Sequence, residues 1–155
     1  MRYVLLDRIT LLQPPELARG VKCVSLSDDI FADHFPGYPV MPGALILEGL
    51  AQLAGVLLEA SMRLRERHDL HAILTMADRA KFRHVVRPGD RLELEARCER
   101  VTEDGGQAQA YARLEGTLVT EAQLSFAFTT ITNPAALAKR REYLAIWLSG
   151  STEGL

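Results

Sequence analysis

Two cysteines are all that 155 residues supply, and Cys23 and Cys98 stand far apart with no C-x-x-C spacing. That supply makes no disulfide framework, and with only His68 and His71 near each other it makes no structural zinc site. A reduced setting, the cytoplasm, is the simpler reading, with no metal. Charge of one sign is also short: 18 Lys+Arg against 20 Asp+Glu leave a net charge of −2. There is no basic tail and no RNA- or DNA-binding motif, which excludes nucleic acid as the expected partner. A leader peptide is not expected, because Asp7 and Arg8 stand where its apolar core would be. Internal repeats and low-complexity linkers are lacking. The length fits one domain over 1–155, with 132–155 as a C-terminal helical extension.

Apolar residues are plentiful, and they concentrate between Val40 and Leu58. Glu48 and Gln52 are the only strongly polar side chains in that run. The run is nearly long enough to span a membrane. Pro42-Gly43 at its start and a carboxylate inside argue against a span, because a charge at mid-bilayer is costly. The expectation is a buried helix from near Pro42 to about Arg67. Its first half is apolar all round, the mark of an enclosed helix, and its second half should emerge into solvent.

Strands are expected at 3–12 and 20–27, on either side of the loop QPPELA, and again at 71–78. Arg87-Pro88-Gly89-Asp90 is a turn signal. From Arg91 to Glu99, Leu92, Leu94, Ala96 and Cys98 alternate with charged residues, which gives a strand with one dry face. Asp104-Gly105-Gly106 and Glu115-Gly116 mark turns. Between and after them Ala108, Ala110, Ala112, Leu114, Ala122, Leu124, Phe126 and Phe128 continue the alternation. The alanines leave room for something bulky. The order is two strands, one long helix, then a meander of about four strands. The sheet must curl around the helix, or a second subunit must cover it. Asn133-Pro134 is an N-cap signal for an amphipathic helix carrying Leu137, Leu144, Trp147 and Leu148 on the outside.

Glu48 and Gln52 share one helix face at i, i+4. Two readings stand: a structural carboxylate satisfied by Gln52 or backbone, and a carboxylic acid whose pKa is raised by burial. His34 precedes the helix in a loop stiffened by Pro36, Pro39 and Pro42. Gly37 and Gly43 permit close approach of a ligand. The Gly43 N–H lies in the first helical turn, where it is free and the dipole favours negative charge. Base, acid and oxyanion donor together suit removal of a proton next to a carbonyl.

The stretch His34-Phe35-Pro36-Gly37-x-Pro39-Val40-Met41-Pro42-Gly43, followed by Glu48 and Ala51-Gln52, closely resembles the signature of the FabZ-type 3-hydroxyacyl-[acyl-carrier-protein] dehydratases. Leu5-Leu6-Asp7-Arg8, Ala80-Lys81-Phe82-Arg83 and Val86-x-Pro88-Gly89-Asp90 resemble further family segments, so the likeness spans roughly residues 3–130. It implies an α+β hotdog fold, an antiparallel sheet wrapped around a long central helix. It also implies a homodimer, in many relatives a trimer of dimers, with His34 of one chain meeting Glu48 of the other. His34 would be the base, Gly43 N–H the oxyanion donor, Glu48 the acid and Gln52 its support, with no cofactor. The related FabA-type dehydratase-isomerases carry aspartate at the position of Glu48, so dehydration without isomerisation is expected.

The substrate would arrive on acyl carrier protein, an acidic partner. Arg79, Lys81, Arg83 and Arg87 form a candidate landing site; the plainer reading is a solvated strand edge. Three features depart from the family pattern: Ala32-Asp33 before the histidine, a short lead-in, and a long tail. Asp33, if turned toward His34, would favour the imidazolium. The departures suit a specialised polyene, polyketide or lipid pathway. Two other functions share this scaffold: a non-catalytic acyl-binding subunit, and an acyl thioesterase in which Glu48 activates water.

Overall fold

The computed structural model describes residues 2–150. Six strands form one antiparallel sheet: β1 (Arg8–Gln13), β2 (Leu17–Cys23), β3 (Leu70–Phe82), β4 (Arg91–Val101), β5 (Gly105–Leu114) and β6 (Thr117–Thr130). The long helix α1 (Gly43–Arg63) lies between β2 and β3 in sequence, and α2 (Pro134–Leu148) closes the chain. Spatial order is β1-β2-β4-β5-β6-β3. The expected meander is therefore β4-β5-β6, while β3 crosses to the far edge and pairs with β6 rather than β4. The 21-residue helix α1 (Gly43–Arg63) makes that crossing, and a sequence pattern carries no record of which edge it reaches.

The alternation in β4, β5 and β6 directs one face of each strand inward. Leu92, Leu94, Ala96, Ala108, Ala110, Ala112 and Leu124 are almost fully buried. The small side chains of β4 and β5 form a shallow trough, and α1 fills it with Leu50, Leu53, Leu57 and Leu58, each wholly buried. Burial of each leucine contributes about 1.5–3 kcal/mol. By length and hydropathy α1 would pass for a membrane span; here it is the core helix of the sheet.

The ends of α1 differ from expectation in two ways. The helix stops at Arg63, because Glu66 turns to φ 63°. Glu66 N–H then donates to Arg63 O and Arg67 N–H to Met62 O, both at 3.0 Å, the Schellman pattern. Glutamate in place of glycine hides that stop in the sequence. Burial also runs opposite to the expected direction. The second half, from Leu57 to Met62, is the buried half, whereas Ala44 is exposed and Leu45, Leu47 and Glu48 are half-buried. The charged run that suggested emergence lies beyond the helix.

Boundaries shift elsewhere. β2 begins at Leu17 because the prolyl turn is tight, and β3 runs on to Phe82 across an irregularity between Asp78 and Lys81, with Arg79 at φ 52°. Asn133 caps α2 as expected, its Oδ1 accepting from Ala135 N–H and Ala136 N–H. The part of the expected extension at 151–155 lies outside the described residues.

Candidate active site

The loop before α1 is closed by its own backbone. Phe35 and Tyr38 exchange N–H···O bonds of 3.0 and 2.9 Å around Gly37, which sits at φ 74°. His34 N–H donates to Ile30 O, Val40 N–H to His34 O, and Met41 N–H to Val86 O. The imidazole is then fixed twice. Phe35 stacks on it at 4.2 Å between ring centroids. Its Nδ1 lies 2.6 Å from Val40 O. A carbonyl oxygen only accepts, so Nδ1 carries the proton and Nε2 presents the lone pair. Among the described residues Asp33 makes no ion pair with His34; its backbone N–H is tied to Ile30 O.

Glu48 is held from two sides. Gln52 Nε2 donates to Glu48 Oε1 at 3.1 Å and to Tyr3 O at 3.1 Å, while Gln52 Oε1 accepts from Leu5 N–H at 3.0 Å. The Tyr3 hydroxyl also hydrogen-bonds Glu48, and the carboxylate's charge, then burial, push the phenol above its ordinary value. Tyr3 thus keeps its proton and stays a donor. Gly49 makes the arrangement possible: a Cβ there would stand 2.7 Å from Leu5 O, so only glycine lets the lead-in to β1 cross α1 this closely. The sequence reading missed Tyr3. Its spacing from Glu48 carries no signal, and only the crossing brings the two together.

Gly43 opens α1, where its N–H has no intrahelical acceptor. A Cβ at this position would meet the Phe82 ring at 2.6 Å. The glycine therefore brings the end of β3 against the helix start and keeps the N–H uncovered by a side chain of its own.

A FabA-like domain model matches residues 1–124. The sequence is 44% identical over 127 residues to the 3-hydroxyacyl-[acyl-carrier-protein] dehydratase FabZ of Chloroflexus aggregans, covering 82% of this chain and 86% of that protein. The chain belongs to the FabA-like family, in its FabZ group. The FabZ of Bacillus velezensis is 41% identical over 125 residues, 81% of this chain and 86% of that one. Among solved structures, the dehydratase heterocomplex ApeI:P from Xenorhabdus doucetiae superposes with a TM-score of 0.68 at 18% identity, covering 90% of both chains. A hot-dog-like protein from Thermanaerovibrio acidaminovorans gives a TM-score of 0.62 at 19% identity, covering 84% of this chain and 92% of that one. The fold is the hotdog fold.

In this FabZ-type chain the four candidate docking residues are exposed, but they are not equally free. Arg83 and Lys81 share Glu121 at 2.7 and 3.9 Å, and Arg79 approaches Asp78 at 3.5 Å. The Arg87 backbone N–H donates to Asp90 Oδ2 at 2.9 Å, but its guanidinium makes no ion pair among the described residues; it lies 4.8 Å over the Tyr38 ring and donates to the Tyr38 hydroxyl. Tyr38 belongs to the His34 loop, so Arg87 is tied to that loop, while Lys81 and Arg83 flank Phe82, whose ring lies against Gly43.

A cleft of about 860 Å³ runs along α1. Glu48 and Gln52 line one end, and Glu59, Arg63 and His71 the other. Glu59 is a second carboxylate that the sequence reading left out, since its apolar window stopped at Leu58. It is 5% exposed. It accepts from Ala72 N–H at 2.8 Å and from Arg140 on α2, with His71 Nδ1 3.7 Å away.

Proposed function

We propose that this chain dehydrates 3-hydroxyacyl thioesters carried on acyl carrier protein to trans-2-enoyl thioesters. The observation that carries the reading is the His34 Nδ1–H···O bond to Val40, which leaves Nε2 as a fixed base on the loop that leads into α1. The names of the curated relatives support the same reaction. His34 Nε2 takes the α-proton. The Gly43 N–H receives the charge that develops on the thioester oxygen. The Cα–Cβ double bond forms as the β-hydroxyl leaves, and Glu48 supplies the proton that makes it water. Gln52 and Tyr3 hold Glu48 in place. The Cα–H pair becomes the double bond and the Cβ–O pair leaves with the hydroxyl, so there is no net oxidation and the reaction needs no redox cofactor.

The acid comes from a second copy of the chain. The outer edge of β3 has no neighbouring strand, and Ile73, Leu74, Met76 and Phe82 are 37–52% exposed along it. A two-fold pairing of β3 edges would join two sheets and cover the exposed first half of α1, bringing His34 of one protomer to Glu48 of its partner. Carrier protein docks on the Arg79, Lys81, Arg83 and Arg87 surface, with Arg87 contributing most because its guanidinium is not held in an ion pair. The enzyme works in the cytoplasm.

Enoyl-thioester formation from a 3-hydroxyacyl carrier-protein substrate tests the reaction, with His34→Ala and Glu48→Ala each losing turnover. Equal amounts of the two variants, unfolded and refolded together, should recover about a quarter of wild-type turnover, because half the dimers then hold one intact site of two. No recovery would rule out shared sites. Thiol release without enoyl product would replace dehydration by thioester hydrolysis.

A further inference from the structure

The family model ends at residue 124, so α2 lies outside the part of the chain that it matches. Its position is nevertheless tightly set. Trp147 Nε1–H donates to Leu6 O at 2.6 Å, beside the segment that holds Gln52, and Leu148 is buried. From the middle of α2 Arg140 reaches Glu59 on α1. The two ties make α2 run antiparallel to α1 across the cleft.

Each helix turns one stripe toward that space. On α1 the stripe is Glu48, Gln52, Val56 and Glu59, at i, i+4, i+8 and i+11. On α2 it is Leu137, Arg140, Leu144 and Trp147, at i, i+3, i+7 and i+10. Between the two carboxylates the α1 side carries Gln52 and the small apolar residues Ala51, Gly55 and Val56, and Phe126 and Leu74 come from the sheet. Eleven residues separate Glu48 from Glu59, about 16 Å along the helix. The cleft thus begins at the candidate acid, is apolar through its middle at Val56, Phe126 and Leu144, and turns charged at its far end, where Arg63, Lys139 and Arg141 line it beside the Arg140–Glu59 pair.

We infer that α2 is the outer wall of the acyl-chain site and that Arg140 is its end stop, so that α2 sets the longest acyl chain the enzyme accepts. This rests on the dehydration reading above. The physical basis is the cost of passing the stop. A chain that fits between Glu48 and Arg140 gains with each buried methylene. A longer one must push Arg140 aside, and Glu59, 5% exposed, then loses its closer arginine partner and keeps only the weaker pairing with Arg63 at 3.9 Å. The result is a sharp upper limit rather than a gradual decline. Leu144 and Leu137 determine the width of the same passage.

The test is kcat/KM on a series of 3-hydroxyacyl carrier-protein thioesters lengthened two carbons at a time, using the full chain. Arg140→Ala should move the cutoff to longer chains and raise the long-to-short ratio about fourfold for each methylene newly admitted. Leu144→Trp should move it to shorter chains by narrowing the passage. If one variant fails to fold, the other still gives a signed shift. A long-to-short ratio within twofold of wild type in the folded variants would overturn the assignment of α2 while leaving dehydration intact. Absence of enoyl product from wild type at every chain length would overturn both.

Discussion

Gln52→Ala is the substitution whose consequences the structure defines most closely. The side chain makes three hydrogen bonds: from Leu5 N–H at 3.0 Å, to Tyr3 O at 3.1 Å and to Glu48 Oε1 at 3.1 Å. Leu5 itself is 5% exposed, so its N–H would lose its only acceptor in a buried place. An orphaned buried donor costs about 1–3 kcal/mol, and an ordinary lost bond about 1 kcal/mol. The Tyr3 carbonyl is near the surface and recovers water. A net loss of about 2–3 kcal/mol follows, which for a chain of this size lowers Tm by about 5–10 °C at fixed protein concentration. The same substitution frees Glu48 on one side. Turnover should fall through kcat more than KM, since the acid is engaged only as the hydroxyl leaves. Calorimetry and steady-state kinetics on one preparation measure both. A Tm within 2 °C of wild type, with kcat unchanged, would refute the bridging role of Gln52.

Two further expectations concern stability. Glu66→Gly should stabilise the chain by about 0.5–1 kcal/mol, because glycine enters the φ 63° region without the strain a Cβ brings; urea unfolding at constant slope measures it. Glu95 is 7% exposed. Burial pushes its carboxyl up, but hydrogen bonds from Arg97 and Arg19 outweigh that and hold it below the ordinary 4.5. Its contribution is therefore complete above that value and is lost as pH falls through the lower folded pKa. Glu95→Gln should flatten the acid limb of a Tm-against-pH curve, and an unchanged limb would remove Glu95 as its source.

The parts of this fold written in local pattern were legible. Period-two alternation placed β4, β5 and β6. Asn133-Pro134 placed the start of α2, and the spacing of His34, Gly43 and Glu48 placed the candidate site residues on a loop and a helix. What escaped was set by long-range geometry. The edge reached by β3 depends on the crossing of α1. Tyr3 meets Glu48 only because Gly49 lets two backbones approach. Glu59 falls in the half of the helix expected to emerge into solvent, and its partner Arg140 on α2 lies 81 residues away. The reversed burial of α1 has the same origin, since a periodic pattern does not say which half another helix will cover.

The unpaired rim of β3 has a consequence beyond the assembly of an active site. From Ile73 to Phe82 every residue is exposed, and the backbone there offers a row of donors and acceptors to any extended chain. Lys81 and the φ 52° kink at Arg79 blunt only its last third. A lone protomer is therefore an adhesive particle, and newly made chains compete between finding one another and sticking to the wrong strand. The proposed pairing of β3 edges would therefore also protect against aggregation, and variants that weaken it should lose solubility before they lose fold.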